Sequence, residues 1–532
     1  MKKYFILFTL IMFVNIINAQ DVAVTGNITT NTTLTSDKSY LLKGIVRVQS
    51  GATLTIQAGT KIYGENSSQG SLVVKPGGKI MAEGTATNPI VFTSEFTKTG
   101  ATRTPTYGDW GGIIILGKAP INVPGGTAAI EGPGDSYGGN DAADDSGVMK
   151  YVRIEYPGIA YSLNNEINGL TLGGVGNKTK LEYIQVSYSG DDSYEFFGGT
   201  VNAKYLIAYR GWDDDFDTDF GYSGKLQFLL GVRDPQIADQ SASNGFESDN
   251  DGSGSTNSPR TSPTWYNVTL IGPAATKTST INTLFKNGMH LRRSSQNKIH
   301  NALIMGWPQG LLIDGTNTVA DMKASTAAFI KHSIVSGSTS VTFKSTDATF
   351  QTEMPTWFTT NGGRAYAENA EVKLADAFNV ANPNPMPTQG SPVFTGGATP
   401  PSDGFFDAAA NFVGAFGKVN WAEGWSSLKI SPPVSVRESN DPAIPSSFEL
   451  SQNYPNPFNP TTNIKFALPN AANVRLTVFN ILGQEIENLV NGYKDAGTYT
   501  ITWDASKLSS GVYIYRLEAE SNMITKKLTL MK

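Results

Sequence analysis

The amino-acid sequence predicts an all-β protein in which a right-handed parallel β-helix is followed by a small β-sandwich. Two patterns indicate this fold class: repeats the length of one β coil across residues 20–430, and short alternating strands in residues 447–532. Charged residues make up only 16% of the chain, and it contains 55 glycines. With its many Thr, Ser, Asn and aromatic residues, this composition favours pleated strands and turns, so we expect almost no helix in the body.

The repeats in residues 20–430 have the period of a β solenoid. A segment centred on a tyrosine recurs at steps of 32 and 21 residues, which are Ile154–Gly158, Val186–Gly190 and Ile207–Gly211. We therefore expect Tyr156, Tyr188 and Tyr209 to form one column, with an insert between the first two coils. Leucine-rich repeats need a leucine spacing that is absent here, and propeller blades need a longer period.

One early segment extends this interpretation. Asn88–Ser94, which follows Gly84 and Thr85, resembles the opening coils of pectin-lyase-like β-helix proteins. The resemblance implies an architecture shared with secreted proteins of uncharacterised function. It implies no activity, because a fold does not specify a function.

A second repeat carries acidic residues. Five segments begin with a large apolar residue: Tyr194–Phe197, Phe216–Asp219, Phe246–Asp249, Met289–Arg292 and Leu311–Asp314. Strand alternation points that residue inward and the next one outward. The predicted outward column is Glu195, Asp217, Glu247, His290 and Leu312. The predicted neighbouring column is Phe197, Asp219, Asp249, Arg292 and Asp314.

Stacked carboxylates of this kind call for a counter-charge. Coils lie about 4.8 Å apart, so two adjacent carboxylates repel by about 3 kcal/mol at an effective dielectric near 20. Calcium accepts several oxygen ligands in flexible geometry, and Asp249–Gly254 resembles the first half of an EF-hand loop. We expect bound Ca²⁺, with a solvated acidic face and a catalytic cluster as alternatives. The predicted metal ligands are Glu195, Asp215, Asp217, Asp219, Glu247, Asp249 and Asp251.

Composition narrows the function classes. The chain has no cysteine, which excludes thiol catalysis, and its three histidines lie in no H-E-x-x-H motif. A net charge of -5 gives no indication of a nucleic-acid partner. Two classes stay open: a non-catalytic glycan-binding, adhesion or structural module stabilised by calcium, or a polysaccharide lyase or glycoside hydrolase acting in the β-helix groove.

We prefer the non-catalytic class because it requires no catalytic motif that the sequence lacks, and we assign no catalytic residue. A polysaccharide is the ligand that either class would take. Trp212, Trp265 and Trp307 lie near coil turns, where an exposed ring could stack on a sugar.

The first 19 residues have the features of a secretory signal peptide. Lys2 and Lys3 precede the apolar stretch Tyr4–Ile17, and Ala19 offers a small residue for cleavage. That stretch is shorter than the roughly 20 residues that span a bilayer. We expect cleavage after Ala19 and no transmembrane segment in the mature chain.

The end of the chain has its own organisation. Residues 431–446 are rich in proline and serine and are predicted to be a linker. The alternating strands of residues 447–532 predict an immunoglobulin-like sandwich. Its opening motif has three prolines that cannot donate to a sheet, so this motif is expected to lie across the sandwich and not within a central strand.

Three motifs in this region carry a specific resemblance. The first contains Tyr454, Pro455, Asn456, Pro457, Phe458, Asn459 and Pro460, and it is followed by Asn480–Glu485 and Leu508–Tyr513. Together they resemble the type A C-terminal sorting domain of type IX secretion substrates. The resemblance implies export to the outer cell surface or the medium. It also implies two partners, the type IX machinery and a surface sortase-like protease.

Overall fold

The computed structural model describes residues 21–162, 165–428, 447–494, 496–519 and 522–532. The predicted signal peptide, residues 1–19, and the predicted linker, residues 431–446, lie outside the described residues. The chain divides into two compact units, a long body and a C-terminal unit.

The body is a parallel β-helix, as predicted, and its coils share a sheet of 25 strands among the described residues. The first coils contain β1 (Val22–Ile28), β2 (Thr32–Leu34), β3 (Ser39–Val48), β4 (Thr53–Ile56), β5 (Lys61–Gly64), β6 (Ser71–Val74), β7 (Lys79–Glu83), β8 (Ile90–Ser94) and β9 (Gly112–Leu116). A separate hairpin follows, made of β10 (Ala128–Ala129) and β11 (Ser136–Tyr137).

The middle coils contain β12 (Gly147–Glu155), β13 (Ala160–Ser162), β14 (Asn165–Glu166), β15 (Leu170–Val175), β16 (Lys180–Ser187), β17 (Tyr194–Gly199), β18 (Asn202–Tyr209), β19 (Phe216–Asp219), β20 (Lys225–Val232), β21 (Phe246–Ser248) and β22 (Thr264–Ile271). The last coils contain β23 (Asn287–Leu291), β24 (Lys298–Met305), β25 (Gln309–Ile313), β26 (Phe329–Lys331), β27 (Ile334–Ser336), β28 (Val341–Ser345) and β29 (Arg364–Tyr366). A small hairpin of β30 (Leu374–Asp376) and β31 (Asn384–Pro387) lies beyond them.

Each middle coil contributes one short strand and one long strand. The short strands β15, β17, β19, β21, β23 and β25 pair in parallel and form what we call the ladder face. The long strands β12, β16, β18, β20, β22 and β24 pair in parallel beside it. Apolar residues from both sets fill one core.

The long strands bend at a residue with left-handed backbone. These corner residues are Tyr151, Tyr183, Tyr205, Phe228, Asn267 and Asn301. The left-handed conformation costs a non-glycine residue about 1–2 kcal/mol. The four aromatic corner residues stack with centroids 4.4, 4.2 and 4.9 Å apart, and each such pair contributes about 0.5–1.5 kcal/mol. Stacking therefore offsets part of the strain at the corner.

The predicted tyrosine column is wrong at its third member. Tyr156 and Tyr188 stack with centroids 4.8 Å apart. Ser187 pairs with Tyr209, so Arg210 and not Tyr209 follows Tyr188 in register. Tyr209 meets Tyr188 edge-on at 5.6 Å. The alignment of the repeats on their tyrosines was therefore shifted by one position at the third coil. The insert predicted between the first two coils is present as the hairpin β13–β14.

Two helices occur near the C-terminal end of the described body, α1 (Thr316–Ala324) and α2 (Ala348–Thr360). The Asp347 side chain caps α2 by accepting a hydrogen bond from the Phe350 amide at 2.6 Å. The apolar side of α2 is buried in the same core as the coils, so it covers apolar side chains that the last strands would otherwise expose. The expectation of almost no helix missed these two. No helix in the described ranges has the length and hydrophobicity of a membrane span.

After the last coil the chain returns along the outside of the long strands. We call residues 391–428 the strap. The Phe412 carbonyl accepts a hydrogen bond from Asn267 Nδ2 at 2.7 Å, and the Ser427 amide donates to Gln185 Oε1 at 2.8 Å. Trp425 is buried against the corner rings. The coils therefore end well before residue 430, and the strap covers several of them.

The C-terminal unit has two antiparallel sheets. Its strands are β32 (Glu449–Leu450), β33 (Thr461–Leu468), β34 (Ala472–Phe479), β35 (Glu485–Lys494), β36 (Gly497–Asp504), β37 (Gly511–Ala519) and β38 (Asn522–Leu530). The order is β32–β33–β36 in one sheet and β35–β34–β37–β38 in the other. Side chains from both sheets share one core, which makes the unit a sandwich.

The proline-rich motif lies across this sandwich. Tyr454 forms a bridge to Asn463 of one sheet, and Phe458 forms a bridge to Leu530 of the other. Phe458 is buried, whereas Tyr454 is 80% exposed. The motif therefore connects the two sheets from outside, as its prolines predict.

Candidate metal centre

The acidic column forms in the predicted register. Glu195 pairs with Asp217, Asp217 with Glu247, Glu247 with His290, and His290 with Leu312. The residue before each of them is apolar and points into the core, so the column lies on the outer side of the ladder face. The structure thus brings three carboxylates together on successive coils.

A second row of carboxylates lies beside this column. Asp192 and Asp214 each come two residues before the first buried aromatic residue of their strand. The Asp214 amide donates to Asp192 Oδ1 at 2.7 Å, and the Asn244 amide donates to Asp214 Oδ1 at 2.5 Å. Sequence reasoning did not include Asp192 and Asp214 as ligands. Their signal was an Asp or Asn that recurs two residues before the first core residue of five ladder-face strands, at Asn168, Asp192, Asp214, Asn244 and Asn287.

The two rows meet in three overlapping groups. Within each group, one carboxylate oxygen per residue lies within 4.8 Å of the others. The groups are Asp191, Asp192 and Asp213; Asp192, Glu195 and Asp217; and Asp214, Asp217 and Glu247. Asp192 and Asp217 each belong to two of them, and Asp217 is the one that pairs with both Glu195 and Glu247 in the acidic column.

Asp217 is also short of partners. Its Oδ1 atom is buried and has no hydrogen-bond partner among the described residues. A buried polar atom without a partner costs about 1–3 kcal/mol, and more when it is charged. While they are ionised, the neighbouring carboxylates add repulsion to this cost.

The pKa values of the cluster reflect its burial and that repulsion. Burial, followed by the charges of neighbouring carboxylates, raises the pKa values of Asp192, Glu195, Asp214 and Asp217 well above the ordinary range. Burial also raises the pKa of Asp213 to about 6. Each carboxylate therefore takes up a proton more readily than in water, and a cation would compete for the same oxygen atoms.

A loop between β9 and β12 forms one end of the site. It contributes Glu131, which accepts a hydrogen bond from Asn168 Nδ2, and the same nitrogen donates to Glu195. Burial raises the pKa of Glu131 to about 7. Apolar residues of this loop pack against the ladder face. Sequence reasoning missed Glu131 because it lies outside the repeats.

Arginines neutralise the other end. Arg292 pairs with Asp249, with Nε 2.7 Å from Oδ1, and Arg292 also contacts Glu247. Arg293 Nη1 lies 2.7 Å from Asp249 Oδ2. His290 Nδ1 lies 3.3 Å from Glu247 Oε2. Negative charge therefore lacks compensation mainly around Asp217 and the residues before it.

Four of the predicted ligands lie outside the three groups. Asp215 is buried in an ion pair with Arg233 at 2.9 Å. Asp219 Oδ1 accepts a hydrogen bond from the amide of the next residue at 2.6 Å. Asp249 is held by the arginines described above, and Asp251 accepts hydrogen bonds from its own turn, including Ser253 Oγ at 2.6 Å. Glu195, Asp217 and Glu247 are the predicted ligands that the structure groups together.

The donor set identifies a class of ion. Every member of the three groups is a carboxylate, with no histidine or cysteine among them. Oxygen ligands suit hard cations such as Ca²⁺ and Mg²⁺, while zinc and copper favour nitrogen and sulfur. The residues present therefore fit a hard divalent cation.

A parallel β-helix with an acidic face and a C-terminal sandwich defines the class of protein. The chain belongs to the family described as pectate-lyase-like β-helix domain, which matches residues 26–379. Residues 452–531 match the secretion system C-terminal sorting domain. A search of curated proteins finds no match. The chain is thus a type IX secretion substrate that is exported to the cell surface or the medium, whereas the fold leaves its activity open.

Proposed function

We propose that this protein is a non-catalytic surface module for glycan binding, adhesion or structural support, with a β-helix stabilised by calcium on the ladder face. The observation that supports this most strongly is Asp217. Its carboxylate lies between Glu195 and Glu247 in register, and its buried Oδ1 lacks a hydrogen bond within the described part of the chain. A divalent cation would supply both the missing partner and the missing charge.

Two cation positions fit around Asp217. One takes oxygens from Asp192 and Glu195, the other takes oxygens from Asp214 and Glu247, and Asp217 contributes to both. Calcium accepts carboxylate, carbonyl and water oxygens in flexible geometry, which suits coils whose spacing is fixed by the backbone. Magnesium requires near-ideal octahedral geometry and gives up water reluctantly.

Calcium titration tests the proposal. The secreted protein is treated with a chelator, dialysed, and melted with increasing CaCl₂ or MgCl₂ at constant ionic strength. We expect calcium to raise the melting temperature, because the cation binds the folded state alone. The increase should be larger with calcium than with magnesium, because magnesium gives up its water reluctantly. An unchanged melting temperature in millimolar calcium would remove the basis for the metal site.

The ion pairs of two arginines support the non-catalytic class. Arg292 and Arg293, which a lyase would use to abstract a proton, are both engaged with carboxylates. One observation favours the hydrolase alternative. Glu131, with a pKa of about 7, shares a hydrogen-bond donor with Glu195, and glycoside hydrolysis needs a protonated and an ionised carboxyl group.

Sugar release separates these alternatives. Neutral and acidic polysaccharides are incubated with the protein, with and without calcium, and reducing ends and unsaturated products are measured. We expect no release above that of a boiled control. Release that disappears in Glu131→Gln, while the calcium-dependent melting shift stays, would establish the hydrolase alternative.

A further inference from the structure

One of the three tryptophans near coil turns differs from the others in exposure. Trp265 and Trp307 are each 1% exposed and belong to the core, whereas Trp212 is 41% exposed. An exposed aromatic side chain lacks the stabilising free energy that burial of its apolar surface would provide. Exposed aromatic residues held in a fixed position are typical of binding surfaces.

The Trp212 ring is held in place. Its Nε1 donates to the Ala238 carbonyl at 3.1 Å. Tyr107 packs against it with centroids 6.1 Å apart, and Tyr107 in turn meets Tyr188 edge-on at 5.8 Å. The indole is therefore oriented before any ligand arrives, so a ligand that stacks on it orders little of the protein.

Hydrogen-bonding groups lie on the Trp212 loop and on the neighbouring loop between β20 and β21. Ser241 Oγ donates to Asp213 Oδ2 at 2.5 Å and contacts Asp239 Oδ2 at 2.7 Å. Asp213 directly follows Trp212, and Asp239 directly follows the residue that anchors the indole. The apolar indole ring and several oxygen atoms that can accept hydrogen bonds from hydroxyl groups thus lie on one small surface. This surface is defined by Trp212, Asp213, Asp239 and Ser241.

We propose that this surface binds a pyranose ring of a neutral polysaccharide, whose apolar face stacks on Trp212 while its hydroxyls donate to Asp213 and Asp239. This inference rests on the proposed glycan-binding function and gives it a site. The carboxylates near the indole disfavour anionic sugars. They include Asp191 and Asp192, which form a group with Asp213. A cationic ligand is disfavoured because Arg210, paired with Asp234, already lies over the adjoining Tyr188 ring.

The test is binding of cellohexaose, xylohexaose, laminarihexaose and mannohexaose to the full secreted protein, followed by calorimetry and tryptophan fluorescence. Hexagalacturonate and hexalysine serve as anionic and cationic probes. We expect at least one neutral hexasaccharide to bind. We expect Trp212→Ala to weaken that binding about tenfold or more, as is typical for a central aromatic contact. Trp212→Phe should retain part of the affinity, because it keeps a smaller stacking surface.

Phe394→Ala is the matched control, because Phe394 is a 36% exposed aromatic residue in the strap of the body. It should bind the sugar as the unmodified protein does. The inference is overturned if no neutral hexasaccharide binds, if hexagalacturonate or hexalysine binds in its place, or if Trp212→Ala binds normally. The calcium-dependent melting shift is measured on the same variants. A retained shift with no sugar binding refutes this inference alone and leaves the metal site intact.

Discussion

Replacing Asp217 by asparagine removes the central charge of the ladder face and keeps its shape. Its carboxylate lies within 4.8 Å of ligand oxygens from Glu195 and Glu247. At that separation, an ionised pair repels by about 3 kcal/mol with an effective dielectric near 20. Burial and the neighbouring charges raise the pKa values of Glu195 and Asp217, so protonation relieves part of this repulsion. We therefore expect Asp217→Asn to stabilise the chelated protein by about 1 kcal/mol.

The same substitution should remove most of the calcium effect. At a hundredfold excess over its dissociation constant, one bound ion stabilises the folded state by about 2.7 kcal/mol. With about 2.1 cal/mol/K of unfolding entropy per residue over a body of this length, that corresponds to about 3 °C. Thermal melts with and without calcium measure the shift in both proteins.

Asp314→Asn is the matched control. Asp314 is a partly exposed carboxylate that follows β25 of the ladder face, and it belongs to none of the three groups found among the described residues. It should leave the calcium shift unchanged. If Asp217→Asn keeps the full calcium shift, or if both variants lose it equally, the shift does not depend on a specific site. The site around Asp217 is then refuted.

Three further outcomes follow from the structure. Burial raises the folded-state pKa of Glu131 to about 7 and of Asp213 to about 6, so the stability they contribute is complete below pH about 4 and is lost as the pH rises through 6 and 7. The melting temperature of chelated protein should fall over that window, and saturating calcium should flatten the fall. Deleting residues 447–532 should retain the protein in the periplasm, as cell fractionation would reveal, and normal surface amounts would contradict the sorting assignment. Trp425→Ala should lower the free energy of unfolding, measured with denaturant, by about 3–5 kcal/mol. Val419→Ala, at a 73% exposed position, should change it by no more than about 0.5 kcal/mol.

The register of the ladder face could be predicted from sequence because its strands repeat a simple rule. A large apolar residue must point into the core of every coil, and the next residue must then point outward. Tyr194, Phe216 and Phe246 satisfy this rule, which places Glu195, Asp217 and Glu247 in one column. The tyrosine repeat failed at Tyr209 because this tyrosine stands one position earlier in its coil than Tyr188 does, opposite Ser187, although the β16–β18 register is uninterrupted.

Other parts of the site come from contacts that no local pattern encodes. Glu131 reaches Asn168 from a loop outside the repeats, and nothing in its own sequence context indicates where that loop lies. Asp215 is flanked by acidic neighbours but pairs with Arg233, which only the three-dimensional structure reveals. The strap was missed for a similar reason. Its contact between Gln185 and Ser427 joins distant parts of the chain.

Anomalous diffraction from crystals grown with calcium would locate an ion bound at Asp217. We expect a calcium peak about 2.3–2.6 Å from a carboxylate oxygen of Asp217, a distance typical of protein-bound calcium. Further ligands should come from Asp192 and Glu195 or from Asp214 and Glu247. Diffraction data that place calcium elsewhere, or that show water alone against Asp217 at millimolar calcium, would contradict this expectation.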